Sequence, residues 1–233
     1  MKELDRQQKL DLWRLFCNEH KIVEQATPLF VEHDNIVQTF AYGDNGRFIL
    51  KRSPEMENAV ITEAKKVIND YQVGLNHYDG LIYMMFLVQE NTPIPLYVGK
   101  TEKIGRNGGL SANIKNIRPT HPFFCRWGYS YEYHIGDLSS VVCPGHGWRK
   151  PPEKYVRWAE RLFLSYPSNI PKLKYATYFW CKAWQSHQSG IWREYGATSL
   201  TFLEYLLIGV ASDLFPDTVL NTEGVNKPRR VII

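Results

Sequence analysis

An α+β fold, a small and mainly antiparallel sheet flanked by helices, is predicted for this chain by three observations. Two strand-like triplets, Leu81-Ile82-Tyr83 and Tyr97-Val98-Gly99, sit in apolar surroundings on either side of a short turn-forming stretch, Glu90 to Pro95. A second pair of short strands flanks Gly43-Asp44-Asn45-Gly46, a strong hairpin turn. Around these hairpins run segments whose apolar residues recur at helical spacing.

Residues 4–19 place Leu12, Trp13, Leu15 and Phe16 in a helical rhythm and predict an amphipathic helix. Val37 to Tyr42 and Arg47 to Lys51 are strand-like about the glycine turn. Ser53, Pro54 and Glu55 start a helix: the hydroxyl caps a free amide, and proline sits where no amide is needed. That helix runs to about Tyr71. Gly80 to Lys100 is the tyrosine hairpin, and Leu110 to Ile117 is a short helix after Gly105-Arg106-Asn107-Gly108-Gly109. Tyr129 to Ile135 alternates as a strand does. Pro152 to Tyr166 reads as a helix with Val156, Ala159, Leu162 and Phe163 on one face. Tyr175 to Trp184, rich in aromatics, fits a buried strand. Ser199 to Leu214 is apolar apart from Glu204 and Asp213 and predicts a buried helix. Residues 1–78 therefore form a helix/hairpin/helix lobe, and residues 79–233 form the main domain with an insertion around 126–170.

Composition narrows the class. At 233 residues the chain can build one large domain, or a core with a smaller attachment. A hydrophobic share of 44% with 22% charged residues excludes a disordered chain. A net charge of +4 permits a nucleic-acid partner without demanding one. Aromatics reach 14%, enough for a large core and for stacking at a nucleic-acid surface. No run of 18 apolar residues exists, so no membrane span is expected. Met1-Lys2-Glu3-Leu4-Asp5-Arg6 lacks the apolar core of a secretion signal. Cys17, Cys125, Cys143 and Cys181 are too widely spaced for a disulfide framework, and a cytoplasmic setting is expected.

Glu204 is the chemical anomaly. Burying an ionised carboxylate in an apolar helix costs several kcal/mol unless a cation or hydrogen-bond donors compensate. A hard metal such as Mg²⁺ is a natural partner, since it takes oxygen ligands and keeps waters for substrate phosphates. Beyond this helix come Phe215-Pro216 and Leu220-Asn221. A Tyr, a Tyr, a helical Glu and a terminal Asn in that order resemble the GIY-YIG nuclease superfamily, from Gly80 to Asn221.

The resemblance implies a divalent-metal-dependent endonuclease that hydrolyses phosphodiester bonds in double-stranded DNA with Mg²⁺ or Mn²⁺. It makes Glu204 the metal ligand and Tyr83 and Tyr97 active-site phenols, one of them orienting or deprotonating the nucleophilic water. An unshifted phenol titrates near 10, so a base role needs a cation to lower it, and Lys100 is well placed for that. Asn221 takes a structural, site-bracing place. The helix after the second strand departs from the family: Asn113 stands where it carries an Arg, and Ile117 where it carries a His. Arg126 is the preferred substitute cation, followed by Lys115, Arg118 and Arg106, and His134 is a candidate second base. His121, Cys125, Cys143 and His146 are spaced as a zinc site could be, but Cys143-Pro144-Gly145 reads as an ordinary turn.

Restriction or another defence against foreign DNA fits a compact stand-alone chain, and cutting both strands favours a homodimer. The alternatives are a structure-specific repair nuclease, a catalytically silent DNA-binding module of the same fold, and a protein-interaction domain with an aromatic surface. Lys227-Pro228-Arg229-Arg230 reads as a solvated end that could touch phosphate.

Overall fold

Short-range signals lay down the elements. The computed structural model describes residues 5–42, 46–115, 117, 135–147 and 151–226. Helix α1 (Arg6–Glu19) opens with a reciprocal cap: Asp5 accepts from the Gln8 amide at 2.8 Å, and the Gln8 side chain accepts from the Asp5 amide at 3.1 Å. Short strands follow: β1 (Thr27–Pro28), β2 (Glu32–His33), β3 (Ile36–Val37), β4 (Thr39–Tyr42) and β5 (Arg47–Leu50). β4 and β5 pair antiparallel, as the glycine turn predicts, although its residues 43–45 lie outside the described ones. Helix α2 (Pro54–Gln72) begins as its sequence requires, with Ser53 accepting from the Met56 amide at 2.9 Å.

The tyrosine hairpin is β6 (Tyr78–Gln89) and β7 (Thr92–Glu102). Its turn is shorter than the predicted Glu90–Pro95 stretch. Only Glu90 and Asn91 make it, both at positive φ (48° and 59°), which matches the twist of the strands. Pro93 and Pro95 belong to β7, and they are tolerated because β7 is an edge strand.

Next come α3 (Ala112–Lys115), α4 (Ile135–Val142), α5 (Glu153–Leu162), β8 (Tyr178–Gln185) and α6 (Leu200–Leu214). The predicted strand at 129–135 falls mostly outside the described residues, and Ile135 opens a helix. α5 stops short of Tyr166 because Phe163 turns extended and bridges to Leu173. α6 starts at the Ser199 cap and is buried along one side only, with Phe202 39% and Tyr205 50% exposed.

The main sheet runs β1-β8-β6-β7, antiparallel throughout. This is the mixed α+β architecture, a small antiparallel sheet with flanking helices, that the periodicities predict. Strand alternation divides the core in two. Ile82, Met84, Phe86, Val98, Trp180 and Trp184 face a cluster built with α1 and α6. Leu81, Tyr83, Met85, Phe179, Cys181 and Ala183 face a second cluster built with α2, α4 and α5. The first 78 residues, predicted as an extra lobe, are thus woven into the same body: β1 extends the sheet beside β8, α1 covers one face and α2 the other. No helix among the described residues is long and apolar enough to cross a membrane.

One close approach ties the two tyrosine triplets together. Tyr83 is opposite Gly99 in the β6–β7 register, and a Cβ on Gly99 would stand 2.3 Å from the Tyr83 Oη and 2.4 Å from its Cζ. Glycine is therefore required for the Tyr83 ring to lie across its partner strand. Gly99→Ala should cost about 1–3 kcal/mol by overpacking. In a Tyr83→Leu background the cost should shrink, and equal losses of thermal midpoint in both backgrounds would contradict the contact.

Candidate active site at the edge of the tyrosine strand

The outer edge of β7 is stitched to the segment that follows α6. Thr218 donates its hydroxyl proton to the Pro95 carbonyl at 3.0 Å, and the Leu220 amide donates to Leu96 at 2.7 Å. Asn221 does both jobs at Val98: its Nδ2 donates to the carbonyl at 2.8 Å, and its Oδ1 accepts from the amide at 3.0 Å. One step further, the Lys100 amide donates to the Glu204 carboxylate. Pro216 cannot continue α6, so the chain breaks away there and turns back along the strand. Glu204 is thereby fixed against the strand that carries Tyr97.

A cavity of about 210 Å³ opens at this junction, lined by Tyr97, Lys154, Glu204, Tyr205, Asn221 and Glu223 among others. The Tyr83 and Tyr97 rings stand 6.3 Å apart, and their hydroxyls are hydrogen-bond partners. Tyr83 is only 3% exposed and stacks on Phe179 at 5.9 Å. Tyr97 is the phenol that reaches the cavity. Behind it the Trp158 ring lies 5.1 Å away.

Burial pushes the Glu204 carboxyl above the usual range, and the charges of Glu102 and Glu223 add to the rise. The Lys100 charge and amide oppose it without cancelling it. Such a carboxylate gains from any cation that joins it. Burial, then the Glu204 charge, pushes the Tyr97 phenol up to about 12, with Glu223 adding to them and the Tyr83 hydrogen bond opposing. The phenol is protonated at neutral pH. The expectation that Lys100 lowers a phenol has no counterpart here: the Lys100 ammonium is paired with Glu102 at 2.5 Å, and its side chain lines a neighbouring groove.

That groove, about 640 Å³, is bordered by Lys100, Glu102, Arg106, Asn113 and Lys115. Two of the substitute cations, Arg106 and Lys115, therefore share a groove with Asn113, away from the Glu204 cavity. Arg126, Arg118 and His134 lie outside the described residues, as do His121 and Cys125 of the zinc spacing. The Cys143 thiol is buried, which pushes it up to about 12, and His146 Nε2 donates to the Phe48 carbonyl at 2.7 Å. Among the described residues no group of three or more His, Cys, Asp or Glu side chains gathers to hold a metal. Glu204 and Glu223 form the oxygen-donor pair of the cavity.

Sequence reasoning missed Lys154, Glu223 and Tyr205. Glu223 stands two positions after Asn221 and Tyr205 directly after Glu204, so both were within reach of the motif. Lys154 starts a different helix, and no local pattern links it to Tyr97. Compared with known proteins, the chain matches no family model, no curated protein and no solved structure.

Proposed function

We propose that this chain is a GIY-YIG-type endonuclease that hydrolyses phosphodiester bonds in double-stranded DNA with Mg²⁺ or Mn²⁺. The observation that carries the reading is the Glu204 carboxylate, anchored by the Lys100 amide and facing the same cavity as Tyr97. The donor set fits a hard cation: Glu204 and Glu223 supply carboxylate oxygens, and the rest of the shell falls to water and phosphate. When bound, the metal supplies neutralisation of phosphate charge and a more acidic water.

The chain's own residues do the positioning. Tyr97, whose phenol is protonated at neutral pH while the site holds no cation, orients the attacking water through its hydroxyl. Tyr83, locked over Gly99 and stacked on Phe179, holds the Tyr97 hydroxyl in place. Asn221 braces the strand that presents Tyr97. A bond forms from the water oxygen to phosphorus as the P–O bond to the leaving sugar oxygen breaks. The water's proton passes to solvent, and the leaving oxygen takes one up.

The test is incubation of plasmid and phage DNA, modified and unmodified, with Mg²⁺ or Mn²⁺. Metal-dependent cutting that stops with a chelator supports the nuclease, and cutting of foreign DNA in preference to modified DNA supports a defence role. Cutting confined to branched or damaged DNA supports the repair reading. Tight, salt-sensitive binding without cutting supports the silent module, which Asn113 in place of the family's Arg favours.

The groove beside the cavity is the proposed path of the phosphate backbone. Replacing Arg106 and Lys115 by Ala should weaken DNA binding uniformly across sequences and flatten the salt dependence by roughly one unit of slope for each lost phosphate contact. Titrations at several salt concentrations check this, and an unchanged slope would remove the groove from the path.

A further inference from the structure

We infer that Lys154 is the cation of this active site, its ammonium contacting the scissile phosphate and neutralising the charge that develops there. The inference rests on the phosphodiesterase reading above. Hydrolysis of a phosphodiester needs a positive donor aimed at the transferring phosphoryl group. The helix position expected to supply it holds Asn113, which borders the neighbouring groove together with Arg106 and Lys115. Among the described residues, Lys154 is the Lys or Arg that lines the cavity of Glu204 and Tyr97.

Its location is built, not incidental. Lys154 lies in the first turn of α5, and its Nζ stands 4.8 Å from the Tyr97 ring centroid, 5.4 Å from Trp158 and 5.7 Å from Tyr155. Three aromatic rings attract one ammonium, and two of them, Tyr155 and Trp158, are buried core residues. The charge is therefore fixed at the cavity wall before substrate arrives, which is the preorganisation that makes electrostatic catalysis effective. Lys154 and Tyr97 meet on one side of the cavity, while Glu204 and Glu223 carry the opposite charge. The cavity of about 210 Å³ is smaller than typical sites for whole drug-sized ligands, and it suits a phosphodiester with its waters.

The deciding experiment compares wild type, Lys154→Met and Lys154→Arg by single-turnover DNA cleavage with Mg²⁺, and by DNA binding with Ca²⁺ in its place. Lys154→Met keeps the aliphatic stem in the aromatic cage and removes the charge. Its cleavage rate should fall by roughly 100-fold or more, the usual effect of removing one transition-state donor. The rate should fall by far more than the affinity, because the contact strengthens as charge develops in the transition state; the thermal midpoint should barely move, and Lys154→Arg should recover part of the rate. Cleavage by Lys154→Met at the wild-type rate would overturn the assignment while leaving the nuclease intact. So would a rate loss matched by equal losses of affinity and thermal midpoint, which would make Lys154 structural. If wild type cuts no DNA, the phosphodiesterase reading itself falls and takes this role with it.

Discussion

If the proposed nuclease reading holds, Glu204→Gln should abolish metal-dependent DNA cleavage and leave the fold intact. The amide oxygen of Gln can still accept from the Lys100 amide, so the link between α6 and β7 survives. What disappears is the negative charge that a cation requires. Loss of the metal's neutralising role should lower the cleavage rate by roughly a thousandfold or more, equivalent to about 4 kcal/mol of barrier. Stability should hold or rise, because the variant no longer buries a carboxylate. Plasmid linearisation alongside a thermal melt separates the two readouts. A Gln variant that cuts at the wild-type rate would remove Glu204 from the site.

The same carboxylate sets a pH dependence. Burial raises its titration above the usual carboxylate range, so it protonates at a higher pH than an exposed glutamate. Metal affinity should begin to fall at correspondingly mild acidity, which metal titrations at stepped pH would show.

The second large effect is on folding and lies away from the cavity. Asp70 and Lys103 form a buried ion pair at 2.8 Å. Lys103 Nζ also donates to the Leu75 carbonyl at 3.1 Å and Asn76 Oδ1 at 3.2 Å. Asp70 accepts from the amides of His77 at 3.1 Å and Tyr78 at 3.3 Å. The pair thus fastens the end of α2 to the start of β6 and the chain leaving β7. Removing one partner strands the other's charge, so Lys103→Met or Asp70→Ala should destabilise by about 3–5 kcal/mol. A thermal midpoint lower by roughly 10 °C is expected for a chain of this size. A midpoint within a degree or two of wild type would contradict it.

Its sign with pH is also fixed. Burial alone would raise the Asp70 carboxyl, but the Lys103 hydrogen bond, the two amides and the Lys103 charge outweigh burial and hold it below the usual range. The stabilisation is therefore present above the unfolded carboxyl value of about 3.9 and is lost as pH falls through the depressed folded value. Asp70→Asn should flatten the acid limb of the stability profile there.

What the sequence discloses and what it hides follow from the range of the forces involved. Helix starts are local chemistry, and Ser53-Pro54 and Ser199 mark theirs to the residue. The hairpin is nearly as local, although proline misleads on the turn: Pro93 and Pro95 resemble breakers and are strand residues whose nitrogens an edge strand can spare. α6 reads as fully buried because its composition hides Phe202 and Tyr205, which face outward. The link between Glu204 and Tyr97 is suggested by motif order, whereas the bonds that make it, from residues 218–221 to β7, join positions more than a hundred apart. Lys154 lies beyond any local signal, since its neighbours Tyr97 and Trp158 meet only when α5 packs on the sheet.

The stitching of residues 218–221 along β7 also constrains assembly. An unpaired outer strand is a template on which another chain can add. From Pro95 to Lys100 this one offers no such template, because Thr218, Leu220, Asn221 and Glu204 already occupy it. A second chain placed against this stretch would therefore have to meet it through side chains, not by continuing the sheet across this border.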